Sequence, residues 1–195
     1  MDKRSVQKQK TRQNILEAAY CLFGSKGILG TRMQDVAEAA GVSHGAVFMH
    51  FKTQEALVSA VIEDFGGKVA MRTHELAAGQ TGVRGVLGAH LQMLADFEDF
   101  YCRLIAEMDR LPAVCRDQFV VIQSAVSLHL SQAAEGEMRQ GTVRRMPVHL
   151  LFNTWVGLVH YYLLNRSLFA PGKSVIRLCG QDLLEHFISL IQRED

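Results

Sequence analysis

Thr31-Arg32-Met33-Gln34-Asp35-Val36-Ala37-Glu38-Ala39-Ala40-Gly41-Val42-Ser43-His44-Gly45-Ala46-Val47-Phe48-Met49-His50-Phe51 reads as two short helices joined by a tight turn. Thr31 stands where a cap for the first helix is expected, with Gln34 three residues on at the capping-box position. Met33, Val36, Ala37 and Ala40 give that helix its apolar face. Gly41 falls where the chain must leave the helix through a left-handed conformation, which costs glycine least. Val42 plugs the turn from inside, and Ser43 is the expected cap of the second helix. The small residues Ala37, Ala40, Gly45 and Ala46 let the two helices cross closely, as in a helix-turn-helix.

On the N-terminal side, Ile15, Ala18, Ala19, Leu22 and Phe23 recur at i, i+3, i+4, i+7 and i+8, one apolar helical face over residues 11–26. Lys26 and Gly27 end it. Residues 1–10 are polar and basic and read as a flexible arm. On the C-terminal side, Thr53 is a plausible cap for a longer helix striped by Leu57, Val58, Val61, Ile62, Phe65 and Val69. Adjacent Gly66 and Gly67 are expected to weaken, kink or break that helix.

The remaining pattern is helical as well. A turn over residues 79–82 leads into a helix from about Val83 to Leu111. Pro112 restarts the chain into a helix reaching about Glu137, since proline suits a first helical turn. Residues 148–164 are apolar almost all round, which calls for cover on several sides. They are too few for a comfortable membrane span and include His149, Asn153 and His160. A loop through Pro171-Gly172 precedes the last helix. With no strand alternation, repeat or low-complexity tract, the fold class is all-α, divided into a helix-turn-helix domain over 10–57 and a helical domain over 58–195.

Composition agrees with a folded chain: 48% of the 195 residues are hydrophobic and only three are proline, which excludes disorder. Without a signal peptide or a long charge-poor run, the expected location is the cytoplasm. The net charge is +1 but uneven. Residues 1–55 carry eight Lys/Arg against five acids, and the rest carry 13 against 15. A basic N-terminal part suits a polyanion reader. The four cysteines have no Cys-x-x-Cys spacing and read as reduced thiols.

Residues 11–57 resemble the DNA-binding domain of the TetR family of bacterial transcriptional regulators. The matching residues are Thr31, Asp35-Val36-Ala37, Ala40-Gly41-Val42-Ser43, Gly45, Val47-Phe48, His50-Phe51-Lys52 and Glu55-Ala56-Leu57. Ile15-Leu16-Glu17-Ala18-Ala19 and Phe23-Gly24-Ser25-Lys26-Gly27 match the family's first helix. The resemblance implies a homodimeric repressor that binds a palindromic operator and is released by a small ligand. The second helix of the motif is then expected in the major groove. Ser43, His44, Gly45, Phe48 and Met49 would face the bases, and Gln34 would reach in from the first helix. Thr31, His50 and Lys52 suit phosphate oxygens, which position without reading sequence. Two departures stand out: Phe48 replaces the family's usual tyrosine, and Gln54 stands where a lysine is common. Both predict weaker backbone anchoring.

Within the second domain the expected effector pocket involves His90, Leu94, Phe97, Tyr101, Gln123, Val126, Phe152 and Trp155, an apolar set with a few orienting polar groups. Residues 148–164 and 175–192 are the expected dimer interface. No cofactor or metal is expected. His149 and His160 are eleven residues apart, about 16 Å along a helix, and no local zinc spacing occurs. Enzyme readings lack a motif: there is no Gly-x-Ser-x-Gly elbow, phosphate loop or dinucleotide fingerprint. The rival from another class is a ligand- or haem-binding helical sensor that no longer reads DNA.

Overall fold

A computed structural model describes residues 3–77 and 82–193. The expected turn over 79–82 therefore lies, Gly82 apart, outside the described residues. The elements are α1 (Lys3–Lys26), α2 (Met33–Ala39), α3 (His44–His50), α4 (Gln54–Ala77), α5 (Gly82–Asp96), α6 (Glu98–Glu107), α7 (Ala113–Gln140), α8 (Val148–Leu164), α9 (Arg166–Phe169) and α10 (Val175–Ile191). Among the described residues the only extended pairing is an isolated bridge between Val143 and Gln192. The all-α expectation is met. No described helix is long and apolar enough to cross a membrane.

Contacts divide the chain into two units. One holds Met1–Gly66 with Asp99–Phe119, and the other Gly67–Glu98 with Val120–Asp195. This differs from the 10–57 and 58–195 segments expected from sequence, because part of the later chain packs with the helix-turn-helix. The N-terminal unit is built on Ile15, Leu16, Phe23, Val36 and Val47, all buried. Phe100 joins them, with its ring 4.4 Å from Tyr20 and 5.5 Å from Phe65. The second unit is built on α5, α8 and α10, where buried Trp155 meets Phe187 edge-on at 5.2 Å.

The structure corrects several local expectations. Residues 3–10 are not a flexible arm; they are the first turns of α1, and no glycine or proline stands among them to stop a helix. The pair Gly66-Gly67 does not interrupt α4, which runs through it. The helix expected from Val83 to Leu111 is two, separated at Phe97, whose N–H bonds the Leu94 carbonyl at 3.2 Å. The loop expected over 165–174 contains the short α9.

The break before α6 coincides with a long-range tie that sequence spacing does not announce. Buried Glu98 opens α6 and turns its carboxylate to the start of α10. It accepts the N–H groups of Val175 at 2.8 Å and Ile176 at 3.1 Å, together with the Ser174 hydroxyl. An anion placed there satisfies donors that a helix leaves unpaired and complements the helix dipole.

Candidate nucleic-acid interface

The turn between α2 and α3 is held by backbone geometry that the sequence anticipates. Gly41 has φ +66, and a Cβ there would meet nothing within 4 Å. The requirement is therefore for a left-handed backbone, not for space. The Val42 N–H bonds the Ala37 carbonyl at 3.0 Å and the Gly41 N–H bonds the Glu38 carbonyl at 3.2 Å. This is the Schellman closure of a helix C-terminus. Ser43 then caps α3, its hydroxyl oxygen accepting the Ala46 N–H at 3.2 Å. At the far end the Phe51 N–H closes on the Val47 carbonyl at 2.8 Å. Thr53 starts α4 as expected, its hydroxyl accepting the Ala56 N–H at 3.0 Å.

Burial sorts the side chains of α3 into two faces. Val47 and Phe51 are buried, as expected of core positions. Ser43, His44 and Gly45 are exposed, Phe48 is 37% exposed and Met49 77%. The His44 imidazole sits edge-on to the Phe48 ring at 4.7 Å, which fixes the two side chains relative to each other. Lys52 is exposed just beyond the helix. From α2, exposed Gln34 donates to the Glu38 carboxylate at 3.1 Å. An exposed, partly apolar row on a short helix offers groups for base edges and thymine methyls.

Thr31 departs from its expected roles as helix cap and phosphate contact. It is 1% exposed and its hydroxyl donates to the Gly27 carbonyl at 2.7 Å. The N-cap of α2 is Arg32, whose backbone N–H is accepted by the Asp35 carboxylate at 3.0 Å. That hydrogen bond, aided by the Lys26 ammonium at 3.3 Å, holds the Asp35 carboxyl below its ordinary range. Gln34 is thus not the capping-box partner. Gln54 has an internal use: its amide donates to the Thr31 carbonyl at 2.8 Å, a tie between the start of α4 and the α1–α2 turn.

Sequence reading missed the approach of α1 to this surface. The Arg12 guanidinium lies 5.4 Å from the centre of the Phe51 ring, within reach of a cation–π contact. His50 is half-buried, and its imidazole is held below its ordinary value first by burial and then by the charges of Lys8 and Arg12. The available signal was the four-residue spacing of Arg4, Lys8 and Arg12, which is a common face only if residues 3–10 are helical.

The residues expected around an effector do not all come together. Tyr101 belongs to the N-terminal unit, where its ring meets Phe65 at 5.9 Å and Phe119 at 6.1 Å. In the second unit, Trp155 Nε1 donates to His90 Nδ1 at 3.0 Å inside the core. This bond requires that nitrogen to be the acceptor of a neutral imidazole. Burial, followed by the nearby His160, pushes His90 down to about 4, and burial pushes His160 down to about 4. Leu94, Val126 and Phe152 are buried in the same unit, and Gln123 is half-buried. Half-buried Phe97 has the Lys68 ammonium 5.6 Å from its ring centre. Among the described residues, no group of three or more His, Cys, Asp or Glu is placed to hold a metal ion.

Comparison with known proteins bears on the same region. Residues 15–61 match the family model described as bacterial regulatory proteins, tetR family. An HTH-type transcriptional repressor of Mycobacterium tuberculosis is 37% identical over 81 residues, 42% of this chain and 43% of that protein. The HTH-type transcriptional regulator AcrR of Shigella flexneri is 44% identical over 55 residues, 28% of this chain and 26% of its own. The matched stretch is thus less than half of either relative. Among solved structures, a TetR-family regulator from Agrobacterium tumefaciens superposes with a TM-score of 0.79 at 16% identity, covering 95% of this chain and 100% of that one. FadR from Bacillus subtilis, solved with stearoyl-CoA, gives 0.73 at 16% identity over 92% and 99%. At such identities the structural likeness speaks for the fold.

Proposed function

This chain belongs to the TetR family of bacterial regulatory proteins, and from that premise we propose that it is a DNA-binding transcriptional repressor and not an enzyme. It binds a palindromic operator in the cytoplasm, with α3 in the major groove of each half-site. The observation that carries this reading is the exposed row Ser43, His44, Gly45, Phe48 and Met49 set over buried Val47 and Phe51. A thioether 77% exposed and a ring 37% exposed on a seven-residue helix suit base edges and thymine methyls. Gln34 supplements the row from α2. Lys52 and His50 serve the phosphates, and Thr31 acts only by shaping the turn. The rival reading, a sensor that no longer reads DNA, is not favoured, because this row is complete and open.

Dimerisation through 148–164 and 175–192 is supported by the outward side of those helices. Leu150, Tyr161 and Leu164 on α8 and Leu178 on α10 are each more than half exposed. With Gly157, the α8 residues recur at helical spacing along one face, and a second copy would cover them. A small, largely apolar effector in the second unit would meet His90, Leu94, Phe97, Gln123, Val126, Phe152 and Trp155. Neutral His90 and His160 favour an uncharged polar group on that ligand.

Selection from a random duplex library tests the reading. The expected result is an enriched inverted repeat whose half-sites lie about 34–36 Å apart or a multiple of it. Absence of any enriched sequence would overturn it. Sedimentation tests the assembly, with twice the 21.7 kDa chain mass expected and a monomer at micromolar concentration contradicting it.

A further inference from the structure

Helix α6 presses on the end of α1 and takes hold of the turn that leads into the reading motif. Gly24 of α1 is buried, and a Cβ there would lie 3.0 Å from the Asp99 Cβ and 3.3 Å from the Phe100 N. A side chain at that point would force the two helices apart. The Arg103 Nε donates to the Gly24 carbonyl at 3.4 Å. At the last residue of α6, the Glu107 carboxylate accepts the Leu29 N–H at 2.8 Å. Its other oxygen occupies the space beside Gly27, 2.6 Å from where a Cβ would stand.

The segment from Gly27 to Arg32 is thus tied from several elements. Glu107 holds it from α6, the Gln54 amide holds the Thr31 carbonyl from α4, and the Thr31 hydroxyl closes on the Gly27 carbonyl. All of these groups belong to the N-terminal unit. Satisfying the Leu29 donor does not by itself require Glu107. Leu29 is 41% exposed, and water can take an amide at the surface. What the carboxylate adds is a fixed place for the turn, since connecting segments are otherwise the more mobile parts of a fold. The motif needs that place supplied from outside. Helices α2 and α3 have seven residues each, too few to hold themselves, and α3 takes its position from α2 through the closure at Gly41.

We propose that Glu107 is a positioning residue for DNA reading: it fixes the α1–α2 turn, and through α2 it sets the orientation of α3 in the major groove. This rests on the operator-binding reading above. Base edges are met only by a helix in register, whereas attraction to phosphates is indifferent to sequence. Loosening the turn therefore weakens operator binding and spares nonspecific binding.

The test compares Glu107→Ala with Glu107→Gln in the full chain. Both remove the charge, and only Gln keeps an acceptor oxygen for Leu29. Each is titrated onto the operator enriched by the wild type and onto a scrambled duplex of equal length, at a temperature where wild type and variants are all folded. Glu107→Ala should lower operator affinity about tenfold, within the range by which residues touching neither ligand shift a coupled equilibrium. Affinity for the scrambled duplex, which rests on phosphates, should stay within about twofold. Glu107→Gln should keep most of the operator affinity, a rescue that loss of charge alone would not give. Hydrogen exchange at the Leu29 amide should quicken in Glu107→Ala and hold in Glu107→Gln. Operator affinity unchanged in Glu107→Ala, equal losses in the two variants, or an equal loss on both duplexes would overturn the proposal while leaving operator binding intact. A wild-type chain that enriches no sequence would remove both.

Discussion

Helices α3 and α10 start alike and are secured differently. Each begins at a serine whose hydroxyl accepts an N–H three residues on, Ser43 from Ala46 at 3.2 Å and Ser174 from Arg177 at 3.1 Å. The start of α3 stays in solvent, and its serine is the one side chain found capping it among the described bonds. The start of α10 is buried, and Glu98, from far away in sequence, accepts two further amides there. The difference follows from the cost of an unmet backbone donor, which is small where water can reach it and large where it cannot. A surface helix used for recognition gets by with a local cap, whereas a core helix needs a partner brought in by the fold.

The largest effect that would break this comparison comes from Glu98→Ala. It strands the Val175 and Ile176 amides in the core and should cost about 3 kcal/mol in denaturant unfolding, since each buried unmet donor costs about 1–3 kcal/mol. Glu98→Gln keeps an acceptor oxygen and should cost clearly less. Equal, small losses in both variants would show that the carboxylate is incidental to α10.

Next in size is the acid sensitivity of the second unit. Both His90 and His160 have folded values near 4, below the ordinary imidazole value of 6.5. The unfolded chain therefore takes up protons first as pH falls. The stability they protect is fully present above about pH 6.5 and is lost on the way down to pH 4, on the order of 3 kcal/mol for His90. The denaturation midpoint should fall over that window, and His90→Gln, which still offers Trp155 an acceptor, should flatten the fall. A profile unaltered by the substitution would place the sensitive group elsewhere.

At the other end of the comparison, Ser43→Ala removes only a solvent-facing cap and should cost about 1 kcal/mol, well below the loss from Glu98→Ala. An equal loss would mean that exposure does not set the cost of a cap. Smaller again, and opposite in sign, is Gly67→Ala. Position 67 lies inside α4, and an added Cβ there meets nothing within 4 Å, so stability should rise by about 0.5–1 kcal/mol. A fall in the melting midpoint would mean that the glycine is kept for its backbone freedom.

What could be read from sequence follows the same divide. The Gly41 turn, the Ser43 and Thr53 caps and the inward Val47 and Phe51 depend on partners within a few residues, so residue type and spacing announced them. Glu98 could not be read in that way. Nothing near it in sequence announces its role, because its partners lie 76 to 78 positions away. Tyr101 shows a related point: helical periodicity says that a residue faces inward, not which of two cores it enters. Even near the motif, local rules failed where choices competed. Thr31 was the expected cap of α2, but its hydroxyl is taken by the Gly27 carbonyl, and Asp35 accepts the Arg32 N–H at the start of the helix instead.

The smallest expected change in stability is also the sharpest test of what α3 is for. Met49 is 77% exposed, and substitutions at such positions usually move stability by no more than about 0.5 kcal/mol. Met49→Ser should therefore leave the unfolding midpoint in place. On the operator-binding reading it removes an apolar group from a base-facing row. Fully burying a Met side chain is worth about 1.5–3 kcal/mol, so operator affinity should fall roughly tenfold or more while nonspecific affinity holds. Unchanged operator affinity would take Met49 out of the row and leave recognition to His44 and Phe48. A drop in stability would instead mean that this end of α3 is covered in the working protein. The separation seen here, between residues that build the helix and residues that it displays, would then need redrawing.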